Sequence, residues 1–133
     1  MIDKSIINIA FNTKNYGLRN KTKNISTIKN KLCGDKITVE LVINKRIIKK
    51  MYYETQSCIF CQASASLLSQ IVHKINVKDW PVIVKEINKT KNTLKLNNKF
   101  RIFNKLFLKK YNNRHSCVIL PFQALVKAVK NTL

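Results

Sequence analysis

Apolar and polar side chains alternate from residue 37 to residue 44, and this is the clearest pattern along the chain. A period of two is typical of a strand with one buried face. Asn44-Lys45-Arg46 fits a turn, and residues 47–55 are expected to return as the antiparallel partner. Residues 25–28 fit a short edge strand. The pattern therefore predicts a small antiparallel sheet of about three strands.

Elsewhere the apolar residues recur at helical spacing. Helices are predicted at residues 2–11, after Cys58, from residue 79, at residues 100–107 and at residues 118–129. Asp79 and Pro81 suit a helix start, as cap and first-turn residue, and Pro121 is expected in the first turn of the last helix. Residues 12–23 and 89–99 are expected to be surface loops. We therefore predict an α+β fold in one domain, residues 1–133, with helices packed on one face of the sheet.

The chain is strongly basic. Its 133 residues include 26 Lys and Arg against six Asp and Glu, which gives a formal net charge of +20. Such a balance often indicates a nucleic-acid or anionic membrane partner. Only four of the basic residues are Arg, and the lysines are scattered beside many Asn and Ile. Because nucleic-acid-binding proteins usually show Arg, aromatic platforms or a recognisable module, the composition favours a solvated lysine surface that steers an acidic partner.

The N-terminal segment has no basic stretch followed by a long apolar run, and no part of the chain approaches a membrane span. Four cysteines without a secretory signal are typical of reduced cytosolic thiols. We therefore expect a cytoplasmic protein that makes no membrane contact.

Three of the four cysteines lie where a metal ligand would be useful. Cys33 and Asp35 flank a glycine before a predicted strand, Cys58 precedes a helix, and Cys117 opens the last amphipathic segment. The spacing alone is a weak signal, because a lone cysteine is most often a small buried apolar residue. Asp35 would equally suit a simple turn.

The segments around these residues resemble the SufU/IscU family of iron–sulfur assembly proteins, also called NifU N-terminal-like domains. The matching segments are Lys31-Leu32-Cys33-Gly34-Asp35-Lys36-Ile37, then Cys58-Ile59-Phe60-Cys61-Gln62-Ala63-Ser64-Ala65-Ser66, then Arg114-His115-Ser116-Cys117 followed by Leu120. The resemblance runs from about Lys31 to the C-terminus, and it implies a SufE/NifU-like fold.

The resemblance also implies a ligand set of Cys33, Asp35, Cys58 and Cys117 that holds Zn²⁺ or a [2Fe–2S] cluster. Three sulfurs and one oxygen suit either occupant. A carboxylate binds soft metals more weakly than a thiolate does, so this set suits transfer better than permanent storage.

The family function implies a sulfur acceptor or scaffold that takes persulfide sulfur from a cysteine desulfurase and serves a downstream cluster carrier or apo-protein. Cys33 is the implied acceptor. Arg114 and the long interval between Cys58 and Cys117 favour the SufU type, and the guanidinium is expected to stabilise a thiolate or persulfide. A zinc-dependent sulfurtransferase and a non-enzymatic scaffold both stay open, as do the oligomeric state and the metal.

Two residues in the matching segments, Cys61 and His115, lie outside the implied ligand set. Cys61 forms a CxxC with Cys58, but family members generally lack this cysteine, so we expect core packing. His115 stands two positions before Cys117, whereas IscU-type scaffolds have histidine immediately before the cysteine, and its role stays open. The alternative function, from a different class, is a small basic nucleic-acid-binding protein with a structural zinc, whose binding would depend on salt.

Overall fold

The structure, a computed structural model, describes residues 2–32, 34–90 and 98–130. The strands are β1 (Ile25–Lys29), β2 (Lys36–Asn44) and β3 (Ile47–Gln56), and the α-helices are α1 (Lys4–Ala10), α2 (Ile59–Ile71), α3 (Trp80–Thr90) and α4 (His115–Lys130). Short 3₁₀ helices occupy Val72–Lys74, Val77–Asp79, Asn98–Phe107 and Lys109–Arg114. Within this part of the chain, no helix has the length and apolarity that crossing a bilayer requires.

The three strands form one antiparallel sheet in the order β1-β2-β3. The alternation in β2 places Ile37, Val39 and Leu41 in the core, where each is fully buried. The β2–β3 hairpin closes through Lys45 and Arg46, whose φ angles of 52° and 64° are left-handed. Two left-handed residues give a tight turn that follows the twist of the strands. The predicted α+β fold with a three-stranded sheet is confirmed.

Helices α2 and α4 cover the inner face of the sheet, and α1 packs against α2. Ser26 of β1 donates a hydrogen bond from its hydroxyl to the carbonyl of Ala124 in α4, which fixes the helix over the edge strand. Aromatic rings of α4 and of the 3₁₀ helix Asn98–Phe107 pack against each other in the core: the Phe103 and Phe122 ring centroids lie 5.1 Å apart. Burial of such rings is a main source of packing energy in a chain of this size.

The outer face of the sheet carries a buried carboxylate. Glu40 of β2 points away from the helices and is fully buried under the loop that precedes β1. Its Oε1 accepts hydrogen bonds from the backbone N–H groups of Arg19 (2.6 Å) and Asn20 (2.9 Å), and its Oε2 from those of Lys21 (2.7 Å) and Thr22 (3.2 Å). Burial opposes ionisation of Glu40, but the four amide hydrogen bonds outweigh it and lower the pKa. The predicted loop at residues 12–23 is thus held against the sheet.

The last helix differs from the prediction. It begins at His115, so Pro121 is the seventh residue of the helix and not part of its first turn. Proline has no N–H, and the carbonyl of Cys117 therefore cannot receive the usual hydrogen bond from residue 121. The break lies inside α4, next to one of the candidate ligands.

The start of α3 agrees with the prediction: the helix begins at Trp80, directly after Asp79, and Pro81 lies in its first turn. A separate 3₁₀ turn, Val77–Asp79, precedes it, and the side chain of Asn76 caps this turn by accepting a hydrogen bond from the Lys78 N–H.

One other boundary differs. Helix α3 continues to Thr90, so the first two residues of the predicted 89–99 loop are helical, while residues 91–97 lie outside the described part. Residues 98–107 form a 3₁₀ helix, which agrees with the three-residue spacing of the buried Phe100, Phe103 and Leu106.

Candidate metal centre

Three of the predicted ligands come together from distant parts of the chain. One donor atom of each of Asp35, Cys58 and Cys117 lies within 4.8 Å of the other two. Two sulfurs on one tetrahedral zinc are roughly 3.8 Å apart for Zn–S bonds of about 2.3 Å. A small inward rotation of the side chains would bring the three donors into reach of one ion. Cys33, the fourth predicted ligand, lies outside the described residues, and metal binding by this set stays a prediction.

Asp35 is held by the hairpin loop that joins β1 to β2. The backbone of Asn30 closes this loop twice: its N–H donates to the Asp35 carbonyl (2.7 Å), and its carbonyl accepts from the Gly34 N–H (2.8 Å). The Asn30 side chain also accepts from the Leu32 N–H at 2.9 Å. Gly34 has a φ of +79°, a left-handed conformation that glycine adopts without strain. Asn30 was not among the predicted site residues, although asparagine before a glycine-containing turn is a recognisable signal.

Cys58 is the residue that caps the start of α2, with φ −69° and ψ 166°. Its backbone N–H donates to Asp35 Oδ1 at 3.1 Å, so the carboxylate is tied to the first turn of the helix. Just before it, Thr55 Oγ1 lies 2.7 Å from the Lys36 carbonyl oxygen and 2.6 Å from Ser57 Oγ. These contacts join the start of β2 to the end of β3, and they set Cys58 and Asp35 side by side.

Cys117 is the third residue of α4 and is almost fully buried. The next residue, Val118, accepts a hydrogen bond at its carbonyl from the Ser64 hydroxyl of α2 (2.6 Å). Ser64 belongs to the segment Ala63–Ser66, whose four small residues are all buried. Their size lets α2 and α4 approach closely, and this close approach carries Cys117 to Cys58.

The donor set suits a cation. Asp35 is buried, and its second oxygen, Oδ2, has no hydrogen-bond partner among the described residues. Burial raises the pKa of the Cys117 thiol, and the adjacent Cys58 and Asp35 side chains raise it further. A bound cation would replace the thiol proton and neutralise the crowded acidic groups. A buried carboxylate oxygen beside two thiols is thus left with a lone pair for a metal.

Cys61 lies apart from this group. It is fully buried in the core, and its sulfur lies 3.9 Å from Thr55 Oγ1. Burial raises the pKa of the Cys61 thiol to about 12, against hydrogen bonds from Ser57 and Thr55 that lower it. Packing, the expected role, agrees with this position.

The two polar residues before Cys117 differ in exposure. Arg114 is exposed at the end of the 3₁₀ helix Lys109–Arg114, one turn before Cys117, and its role in stabilising a persulfide stays a prediction. His115 is half-buried and its ring lies 5.4 Å from the ring of Phe107. It is not one of the three residues that converge at the candidate centre.

The sequence matches a known family over almost its whole length. The profile of the family described as the NifU-like N terminal domain matches residues 1–131. A curated relative is the iron–sulfur cluster assembly scaffold protein IscU of Thermotoga maritima, which is 28% identical over 135 residues that cover 98% of this chain and 93% of the relative.

Solved structures share the fold. A nitrogen-fixing NifU-like protein (N-terminal) from Brucella abortus aligns with a TM-score of 0.81 at 20% identity, covering 98% of this chain and 95% of that one. A putative iron–sulfur cluster assembly scaffold protein for the SUF system from Fervidobacterium islandicum aligns with a TM-score of 0.80 at 21% identity, covering 96% and 95%.

Proposed function

Because this chain belongs to the NifU-like N-terminal domain family, we propose that it is an iron–sulfur cluster assembly protein that accepts sulfur from a cysteine desulfurase and carries the growing cluster as cargo. The similar Thermotoga maritima protein is an iron–sulfur cluster assembly scaffold protein. The observation that carries the proposal is the convergence of Asp35, Cys58 and Cys117. At this site the buried Asp35 Oδ2 has no hydrogen-bond partner among the described residues.

In this proposal, Cys33, Asp35, Cys58 and Cys117 are the ligands of the cluster or of Zn²⁺. Thiolates suit both occupants, and a metal-bound state would keep the thiols ordered until a partner arrives. Asp35 is the hard and weakly bound ligand for a soft centre. Its Oδ1 is already engaged by the Cys58 N–H, which leaves Oδ2 as the atom that binds and releases.

Sulfur transfer is proposed to occur at Cys33. The Cys33 thiolate attacks the terminal sulfur of a persulfide on the desulfurase cysteine. One S–S bond forms on Cys33 as the S–S bond of the donor breaks, the desulfurase cysteine leaves as a thiolate, and the net oxidation state of sulfur is unchanged. Arg114 is proposed to stabilise the anionic thiolate or persulfide by a charge-assisted hydrogen bond.

The proposal treats residues 1–133 as a single domain in a reducing compartment such as the cytoplasm. Persulfide chemistry needs free thiols, and Cys58, Cys61 and Cys117 form no disulfide in the structure. The partners are the desulfurase and a downstream cluster carrier or apo-protein.

Sulfur transfer is tested with a purified desulfurase and ³⁵S-cysteine, followed by peptide mapping under non-reducing conditions. We expect the label on Cys33, and Cys33→Ser should abolish stimulation of desulfurase turnover. Arg114→Ala should keep the metal and lower the stimulation, because the guanidinium acts on the sulfur anion and not on the ligand set.

Cys61→Ser is the matched control, since it removes a buried thiol close to the centre but outside it. It should keep both the label and the stimulation. Label on Cys61 with Cys33 unmodified would overturn the assignment and make the CxxC pair the reactive one.

A further inference from the structure

We propose that a basic cleft beside the candidate centre docks a short acidic segment of a partner protein, through the carboxylates and one apolar side chain of that segment. The cleft lies between the end of β1 with the loop that follows it and the first half of α4. The inference rests on the proposed function in one respect: it assigns this segment to a partner of the sulfur or cluster transfer.

The cleft has a volume of about 300 Å³ and is open to solvent. It is lined by Lys29 and Lys31 from the end of β1 and the loop after it, by α4 residues that include Ser116 and Gln123, and by Asn88 of α3. Ligand pockets in proteins begin at roughly this size. The space therefore suits two or three side chains of an extended segment, and it is too small for the face of a domain.

The position of the cleft links it to the centre. Its Lys31 lies two positions before Cys33, and its Ser116 directly precedes Cys117. The next residue after Lys31 on this loop, Leu32, is 92% exposed. An exposed leucine beside a cleft adds an apolar contact for an incoming segment. A partner held here is delivered to the rim of the centre.

The chemistry of the lining favours a carboxylate-bearing occupant. Ile28, Ile119 and Leu120 supply apolar surface, the lysines supply positive charge, and none of the described residues that line the cleft is acidic. Ammonium groups pair with carboxylates, and amide side chains such as Asn88 donate further hydrogen bonds.

The charge of the whole molecule also favours an acidic occupant of the cleft. Of the six acidic residues, Asp3, Glu40 and Glu54 accept hydrogen bonds from backbone N–H groups away from the cleft, and Asp35 does so inside the centre. The other two are Asp79 and Glu86, and Glu86 stands on α3 two positions before the cleft residue Asn88. With a net charge of +20, the molecule as a whole stays strongly basic. An acidic segment is attracted over a distance of about one Debye length, roughly 10 Å at 0.1 M salt.

Two observations select side-chain docking to a peptide over other modes. The described lining residues include no Arg, and His115 is their one aromatic residue, whereas single-stranded nucleic acid is usually held by aromatic stacking and Arg. The Lys127 ammonium of α4 donates to the Thr27 carbonyl of the edge strand β1 at 3.0 Å, and a charged group that covers an edge strand hinders the addition of another strand.

The test uses the full chain and a fluorescent pentapeptide with a central leucine and two glutamates on each side. A peptide of the same charge with central glycine reports the apolar contact, and an oligo-dT strand reports nucleic-acid binding. Anisotropy gives the affinities, and amide shifts of the ¹⁵N-labelled protein locate the peptide. Lys29→Glu and Asn88→Asp alter lining residues from two different elements, β1 and α3, and Lys50→Glu makes the same charge change as Lys29→Glu at an exposed position of β3.

We expect shifts concentrated at residues 28–32 and 115–123, and weaker binding of the glycine peptide. Lys29→Glu should weaken the leucine peptide by about fivefold or more and Asn88→Asp by less, while Lys50→Glu changes it by less than twofold. Three results would each overturn the proposal. The first is equal weakening of peptide binding by Lys29→Glu and Lys50→Glu, and the second is amide shifts spread over the whole surface. The third is tighter binding of oligo-dT than of the peptide at the cleft. If the protein binds the peptide at the cleft but accepts no sulfur, this inference holds and the proposed function fails. If it accepts sulfur but does not bind the peptide, the proposed function holds and this inference fails.

Discussion

Asp35 has two oxygens with different surroundings, and this difference gives the residue its proposed role. Oδ1 accepts a hydrogen bond from the Cys58 N–H, and the buried Oδ2 has no partner among the described residues. A buried carboxylate oxygen without a partner is costly. A bound metal would supply the missing partner. Because a carboxylate binds a soft metal weakly, Oδ2 could also release the metal again.

Asp35→Ala should slow the release of a bound cluster by several-fold, because the exchangeable ligand is gone while the thiolates remain. The measurement is the rate of cluster transfer to an apo-ferredoxin, followed by circular dichroism. Asp35→Asn separates two causes, since its amide oxygen can still accept from the Cys58 N–H but binds metal poorly. If the alanine variant transfers as fast as the wild type, Asp35 is not a labile ligand. If only the alanine variant is slow, the lost contact to Cys58 is the cause.

At the scale of single elements, the loop over the outer face depends on Glu40. Glu40→Gln leaves one oxygen to accept from backbone N–H groups and turns an amide N–H₂ group toward the remaining donors. We expect a loss of about 1–3 kcal/mol in the free energy of unfolding, the usual cost of unsatisfied buried polar groups. Chemical denaturation measures it. Glu54→Gln is the control, because Glu54 is exposed and its single backbone contact, to the Leu18 N–H, can be kept by an amide oxygen.

The same residue predicts a pH dependence. Since the pKa of Glu40 is lower in the folded protein than its ordinary value, its contribution is complete above the unfolded pKa of about 4.3. It is lost as the pH falls through the folded pKa. The stability difference between wild type and Glu40→Gln should therefore shrink on acidification below about pH 4.3. A difference that stays constant from pH 7 to pH 3 would contradict the assignment.

The elements were predictable where one local pattern decides the structure. Alternation in β2 predicted the strand, and the helical spacing of apolar residues after Cys58 predicted α2. The role of Glu40 was missed because alternation places it on a face that sequence treats as solvated, and only the tertiary path of residues 19–22 buries it. Pro121 was placed in a first turn because proline is usual there, whereas close packing of α2 and α4 holds a helix that starts six residues earlier.

At the scale of the whole molecule, spacing alone could not predict the candidate centre. Asp35, Cys58 and Cys117 lie on a hairpin loop, a helix cap and a helix interior, and only the packing of the helices on the sheet joins them. The family resemblance of the segments around them supplied what spacing could not. The hydrogen bonds of Asn30, which close the loop that carries Asp35, and the hydrogen bond of Ser64, which joins α2 to α4 beside Cys117, are known only from the structure.

The charge of the molecule predicts a salt dependence. Exposed charges are screened over about 10 Å at 0.1 M salt, so attraction to an acidic partner weakens as salt rises. Stimulation of a desulfurase should need more of this protein at higher salt, with an unchanged maximal rate. A titration of turnover at several NaCl concentrations measures both quantities. An apparent affinity that does not change with salt would show that the lysines play no part in the encounter.

The most direct test of the central claim is the iron and acid-labile sulfide content after anaerobic reconstitution with a desulfurase, cysteine and ferrous iron. The account predicts iron and sulfide in equal amounts on the wild type and on Cys61→Ser, and loss of most of both on Cys33→Ser, Cys58→Ser and Cys117→Ser. Zinc without sulfide on the wild type would favour the sulfurtransferase over the scaffold. Loss of iron and sulfide from Cys61→Ser, with Cys117→Ser unaffected, would contradict the proposed ligand set.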